Sequence, residues 1–188
     1  MQHLVLASGS PRRKELLENL KLSFDVSVSN IDESVDENFT PEEMVMQIAF
    51  NKAKAVSEQY PDSYIIGADT AVLFQNQILG KPKNEQESIQ VLKALSNHTH
   101  EVITGVAIIY NDTHSLFYEK TEVTFWDLSD EEITDYVASG EPKDKAGSYG
   151  IQELGSSLVK HIKGDYFAVV GLPVSRTLRE LRKLGFKK

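Results

Sequence analysis

Asp69 interrupts Ile65-Ile66-Gly67-Ala68-Asp69-Thr70-Ala71-Val72, a run otherwise apolar enough for a strand buried on both faces. A carboxylate in such a place is stable when a metal ion or several hydrogen bonds hold it, so Asp69 marks a site. Lys52 poses the matching question. Val45, Ile48, Ala49, Ala53 and Val56 recur at helical spacing as one apolar stripe, with Lys52 in its middle and Lys54 on the other side. An ammonium there needs a charged partner, for which a carboxylate or a substrate phosphate would serve; otherwise its stem packs and the amine reaches the edge. A third signal is Ser8-Gly9-Ser10-Pro11-Arg12-Arg13. Helix N-termini bind anions, and two arginines in a first turn oppose the dipole unless an anion is bound, or else lie in water. Glu33, in the acidic loop Asn30-Ile31-Asp32-Glu33-Ser34, is either solvated or a second carboxylate beside Asp69. Two carboxylates with water and substrate phosphate are the usual way to hold Mg²⁺. Lys81 lies where it could reach the same group or simply stand exposed beside a turn.

These residues need elements to carry them. Leu4–Ala7 reads as a short buried strand, and Ser10-Pro11 caps a helix through about residue 20. Phe24 to Ser29 alternates as a strand, and Thr40-Pro41-Glu42-Glu43 is a capping box opening a helix to about Gln59. Tyr64 to Phe74 is a strand turning at Gln75-Asn76-Gln77 into a hairpin. Residues 85–96 form a helix with Ile89, Leu92 and Leu95 inward, followed by strands over Val102–Tyr110 and Ser115–Trp126. Ser129-Asp130-Glu131-Glu132 is a second capping box, whose helix Gly140 ends in the left-handed region. Gly147 to Val170 reads as glycine-punctuated strand and loop, and Val174 to Leu184 as a last helix with Leu178 and Leu181 inward. Alternating strands and helices predict an α/β fold.

Composition narrows the chemistry. The 188 residues suit one domain, and a net charge of −8 repels a nucleic-acid backbone, so a phosphate site must be local. Absence of cysteine removes disulfides and thiolate chemistry, and fits a reducing, cytoplasmic setting. The first apolar stretch is too short for a signal peptide, and no run approaches the about 20 apolar residues of a membrane span. A soluble chain is expected. His3, His98, His100, His114 and His161 lack the His-Glu-x-x-His spacing of a zinc site, and neither a Walker A motif nor a Gly-x-Ser-x-Gly elbow is present.

Five separated segments then acquire meaning together: Leu6-Ala7-Ser8-Gly9-Ser10-Pro11-Arg12-Arg13, Gly67-Ala68-Asp69-Thr70, Gly80-Lys81-Pro82, Asp144-Lys145-Ala146-Gly147-Ser148-Tyr149-Gly150-Ile151-Gln152 and Val170-Gly171-Leu172-Pro173. In order and interval they resemble the Maf family of nucleoside triphosphate pyrophosphatases over nearly the whole chain. The resemblance implies a single domain over residues 1–188 with a mixed twisted sheet flanked by helices. It also implies an elongated, two-lobed shape with a central cleft, like the inosine triphosphate pyrophosphatases, and commonly a homodimer. The activity implied is cleavage between the α- and β-phosphates of a nucleoside triphosphate, with Mg²⁺ or Mn²⁺, yielding a monophosphate and pyrophosphate.

Ser-Pro-Arg-Arg, Ala-Asp-Thr and Gly-Ile-Gln are similar to the subgroup preferring dTTP and UTP, whose specificity positions fall on Arg12, Thr70 and Gln152. By the same resemblance Asp69 accepts the proton of the attacking water, and Glu33 with Asp69 is expected to position the metal. Arg13, Lys52 and Lys81, with the N–H groups around Ser8 and Ser10 and with Arg12, are expected on the phosphates. Glu153 departs from the family, where many relatives have glycine, and its charge beside Gln152 is expected to alter the base pocket. A nucleotide-binding regulator of septum formation would keep the arginines without needing Asp69. Enzymes clearing modified pyrimidine nucleotides would share the mechanism and differ in the base pocket.

Overall fold

The computed structural model describes residues 2–36 and 38–187. Its strands are β1 (Leu4–Leu6), β2 (Asp25–Val26), β3 (Tyr64–Phe74), β4 (Gln77–Leu79), β5 (Thr99–Tyr110), β6 (Thr113–Phe125) and β7 (Val159–Lys163). Its helices are α1 (Pro11–Asn19), α2 (Pro41–Ser57), α3 (Glu85–Leu95), α4 (Asp130–Ala138), α5 (Tyr166–Val170) and α6 (Val174–Lys183). One seven-stranded sheet runs in the order β2-β1-β3-β5-β6-β7, with β4 paired to β3. It is mixed: β1 is parallel to β2 and β3, while β3–β4 and β6–β7 are antiparallel. Among the described residues no helix is long and apolar enough to cross a membrane. The chain forms two compact units, one running to Thr70 with Thr104–Glu119 and the end of the chain from Gly171, the other made of Ala71–Ile103 and Lys120–Val170.

In the first unit the sheet is sorted by alternation. Val5, Ala7, Ile65, Ala107 and Ile109 share one buried cluster with Ala49, Ala53 and Val56 of α2. The start of α2 is the predicted capping box: Thr40 Oγ1 accepts from Glu43 N at 3.2 Å and Glu43 Oε2 accepts from Thr40 N at 2.9 Å. All five residues of its predicted stripe are buried. Two glycines let this helix lie almost on the strands. A Cβ on Gly67 would come within 2.2 Å of Ala49 O, and one on Gly105 within 2.5 Å of the Val45 carbonyl carbon. On the other face Tyr64 stacks on Tyr110 at 3.9 Å and donates its hydroxyl to Leu184 O at 3.1 Å, so the end of α6 covers that side.

The expected strand over Phe24–Ser29 shrinks to Asp25–Val26, because β1 offers only three residues to pair with and Val26 and Val28 are left exposed. Ser27 N still reaches Leu6 O at 3.0 Å.

In the second unit β3 turns into β4 through Gln75 and Asn76, both left-handed (φ 50° and 61°), which is the backbone a two-residue hairpin requires. The buried stripe of α3 is Ser88, Leu92 and Leu95, with Ile89 only half-buried. Gly140 takes φ 78° past the end of α4 as expected. Helix α5 falls in the stretch read as strand and loop. Asp165 Oδ1 accepts from Phe167 N at 2.7 Å and Ala168 N at 3.3 Å, and this cap turns an apolar run into a helix. His100 is buried at the core of this unit, packed edge-on against Phe125 and Tyr149, with Nε2 hydrogen-bonded to Tyr149 Oη at 2.7 Å. Its Nδ1 has no partner among the described residues. Protonation would strand a donor there, and burial lowers the pKa to about 4.

Gly67→Ala should destabilise the protein by about 3 kcal/mol, read by urea unfolding, because a Cβ would meet the backbone of α2 rather than a flexible side chain. His100 makes stability depend on pH. The unfolded imidazole takes up a proton near its ordinary value while the folded one resists until about pH 4, so stability is full above about pH 6.5 and falls towards pH 4. The loss should approach about 1.4 kcal/mol per pH unit within that window. Urea midpoints of wild type and His100→Gln at pH 7, 6 and 5 should diverge accordingly.

Candidate active site

Strand β3 brings Asp69 to α2 by arithmetic. Gly67, where α2 approaches, and Asp69 are two residues apart and share a face, and Lys52 lies on α2 between Ala49 and Ala53, the two residues against Gly67. The result is an ion pair: Lys52 Nζ lies 2.8 Å from Asp69 Oδ1 and 2.9 Å from Glu33 Oε1. The Lys52 and Asp69 side chains are 13% and 17% exposed, whereas Glu33 is 59% exposed on its loop. Of the alternatives open for Lys52, carboxylate pairing is the one found, and Glu33 joins Asp69 through the same nitrogen.

Thr70 faces the other way. Its Oγ1 accepts from Arg13 Nη2 at 3.0 Å and is hydrogen-bonded to Thr104 Oγ1 at 2.9 Å. Arg13 is buried in the first turn of α1, where Nε donates to Gly171 O at 2.7 Å and Nη1 to Ser8 Oγ at 3.1 Å. Three of the five N–H donors are spent on neutral oxygens. Burial pulls the Arg13 pKa down, with Asp69 acting in the opposite sense and Arg12 in the same one. Ser8 Oγ also accepts from Ser10 N at 3.3 Å, and Ser10 Oγ caps α1 through Arg13 N at 3.5 Å. Arg12 is half-buried and forms no ion pair among the described residues. Thr104 is the member of this network that sequence reasoning missed. Its signal was present, a hydroxyl inside the apolar run Val102-Ile103-Thr104-Gly105-Val106.

The other expected residues belong to the second unit. Lys81 is exposed just past β4, and Gly80 before it accepts from Gly147 N at 3.1 Å. Gln152 is half-buried, and Glu153 after it is exposed with φ 53°. That backbone disfavours any side chain with a Cβ, which gives the glycine expected at this position a physical reason.

The donor set suits a hard cation. Among the described residues no three His, Asp or Glu side chains converge as metal ligands. Glu33 and Asp69, two carboxylates on one ammonium nitrogen, match the protein's usual share of an Mg²⁺ or Mn²⁺ site that takes its other ligands from phosphate and water.

Residues 3–184 match the family described as Maf-like protein. The chain belongs to the Maf family. Proteins named "dTTP/UTP pyrophosphatase" from Geobacillus sp. (strain WCH70) and Bacillus cereus (strain AH187) are 56% and 55% identical to it. The first alignment covers 99% of this chain and 100% of the relative, the second 98% and 97%. A solved HAM1 protein from Coxiella burnetii aligns with a TM-score of 0.49 at 20% identity, over 84% of this chain and 92% of that one. In this Maf chain Arg13 ties three of the five segments together, binding Ser8 of the first, Thr70 of the second and Gly171 of the last. The Gly147 N to Gly80 O bond joins the remaining two.

Glu153→Gly should raise stability by up to about 1 kcal/mol, since relief at the left-handed backbone exceeds the entropy lost by the added glycine. Urea unfolding of the two proteins at one pH measures it.

Proposed function

We propose that this chain hydrolyses dTTP and UTP to the nucleoside monophosphate and pyrophosphate. The observation that carries the proposal is the Lys52 ammonium held between Asp69 and Glu33, two carboxylates whose charge also reaches the buried Arg13 in the first turn of α1. The names of the relatives that align over nearly full length support the same substrates.

In this reading a water oxygen attacks the α-phosphorus, its proton passes to the Asp69 carboxylate, and the α–β bridging oxygen leaves with pyrophosphate. Lys52 keeps the Asp69 carboxylate oriented, and its charge is available to the phosphates. Ser8 and Ser10 shape the turn that opens α1, whose N-terminal end favours an anion, and Arg12 and Arg13 supply positive charge there. Lys81 adds charge to the departing pyrophosphate. Arg12, Thr70 and Gln152 select the base. Glu33 and Asp69 would hold Mg²⁺ or Mn²⁺, which when bound supplies further positive charge to the phosphates. Free nucleotide rather than nucleic acid as substrate agrees with the net charge of −8. Action in the cytoplasm as a homodimer completes the proposal.

Pyrophosphate release from dTTP, UTP, CTP and GTP, with Mg²⁺, Mn²⁺ or a chelator, tests it against Asp69→Asn. Turnover of dTTP and UTP should require the metal and fall at least about a hundredfold in the variant. Wild-type rates in Asp69→Asn would remove the proton-acceptor role. Nucleotide binding without turnover in the wild type would move the case to a regulator.

A further inference from the structure

Gln152 sits on a segment whose ends are tied by two side chains that no step above uses. Glu141 Oε1 accepts from Gly155 N at 3.0 Å and from Tyr136 Oη at 3.0 Å, and Glu141 Oε2 accepts from Leu154 N at 3.1 Å. Tyr136 Oη in turn accepts from Gly150 N at 3.2 Å. Residues 150 to 155 therefore form a loop closed at its neck by one carboxylate and one phenol. The neck is tight, because a Cβ on Gly155 would lie 1.9 Å from Gly150 O and 2.8 Å from Tyr136 Oη. Gln152 and Glu153 are at the centre of that loop, and neither forms a strand or an α-helix.

The clamp is itself held. Glu141 N donates to Ser139 Oγ at 3.2 Å, and Lys145 Nζ donates to Glu141 O at 2.7 Å. Burial raises the Tyr136 pKa, against the pull of the Gly150 N–H and with the help of Glu141, so the phenol stays protonated and donates to the carboxylate. With both oxygens engaged by three donors, Glu141 is committed to the loop rather than to a metal. Hydrogen bonds to a carboxylate are among the strong ones, and they order a segment around Gln152 that has neither strand nor α-helix to hold it.

We infer that Glu141 and Tyr136 are positioning residues that set base selectivity by fixing the loop that carries Gln152. This rests on the proposed role of Gln152 in base selection. Glu141→Gln replaces one oxygen by an amide nitrogen that cannot accept from Leu154 N, and Tyr136→Phe removes the acceptor for Gly150 N.

The test compares kcat/KM for dTTP with that for GTP in wild type, Gln152→Ala, Glu141→Gln, Tyr136→Phe and Glu141→Gln/Gln152→Ala. Glu141→Gln should lower the dTTP:GTP ratio about tenfold, mainly through KM for dTTP, with a smaller fall in Tyr136→Phe. The double variant should show no further fall below Gln152→Ala. Amide exchange at Leu154 and Gly155 should speed up in folded Glu141→Gln, a readout independent of activity. Equal losses for both nucleotides, full additivity in the double variant, or unchanged exchange would overturn the inference. A wild-type ratio in Gln152→Ala would instead overturn the role of Gln152, and the positioning role with it.

Discussion

The distance between α2 and the sheet is the constraint on which the Lys52–Asp69 ion pair depends. Gly67 and Gly105 remove the two Cβ atoms that would hold the helix off, and the backbone of α2 settles against β3 and β5. Only then does a lysine on the buried stripe of a helix find a carboxylate on a buried strand at 2.8 Å. Neither charge is tolerable alone at that depth, since each would lose its hydration without compensation. Close packing therefore comes first, and the ion pair is both permitted by it and necessary because of it. Glu33, exposed on its loop, adds a second carboxylate while remaining open to solvent.

Alternation along β3 divides the chemistry between two faces. Asp69 meets α2 and its ammonium, whereas Thr70, the next residue, meets Arg13 and Thr104. A single strand thus carries an ionic cluster on one side and a guanidinium bonded to neutral oxygens on the other. Arg13 binds a hydroxyl after β1, a hydroxyl on β3 and a carbonyl before α6, so one side chain gathers segments from the beginning, the middle and the end of the sequence. Gly171 allows this: its φ of 132° suits glycine, and a Cβ there would sit 3.4 Å from Arg13 Nε.

The second unit solves a different problem, which is to hold irregular backbone in place. The stretch from Glu141 to Leu158 is mostly single turns of 3-10 helix, with left-handed residues at Gly147, Ser148 and Glu153. Side chains do there what ladders do in a sheet. Glu141 and Tyr136 bind each other and the backbone of the loop, Lys145 binds Glu141 O, and His100, Phe125 and Tyr149 pack edge-to-face with one another. Burial keeps His100 neutral and Tyr136 and Tyr149 protonated at neutral pH.

By itself the sequence determined the local elements and the residues out of place within them. Periodicity defines the stripe of α2 and the misfit of Lys52, the apolar run defines β3 and the misfit of Asp69, and the capping boxes at Thr40 and Ser129 place two helix starts, because these signals act over a few neighbouring residues. The family motifs likewise point to the serines and arginines at α1 and to Gln152. Weaker local signals failed: the edge strand after Phe24 is short because its neighbour is short, and α5 forms because Asp165 caps a run that could equally have been a strand. Only the tertiary structure decided that Lys52 pairs with carboxylates, that Arg13 spends three donors inside the protein, that Thr104 belongs with Thr70, and that Glu141 closes the loop of Gln152. Each of these depends on the approach of segments distant in sequence or on a turn without regular structure, and no spacing along the chain encodes that distance.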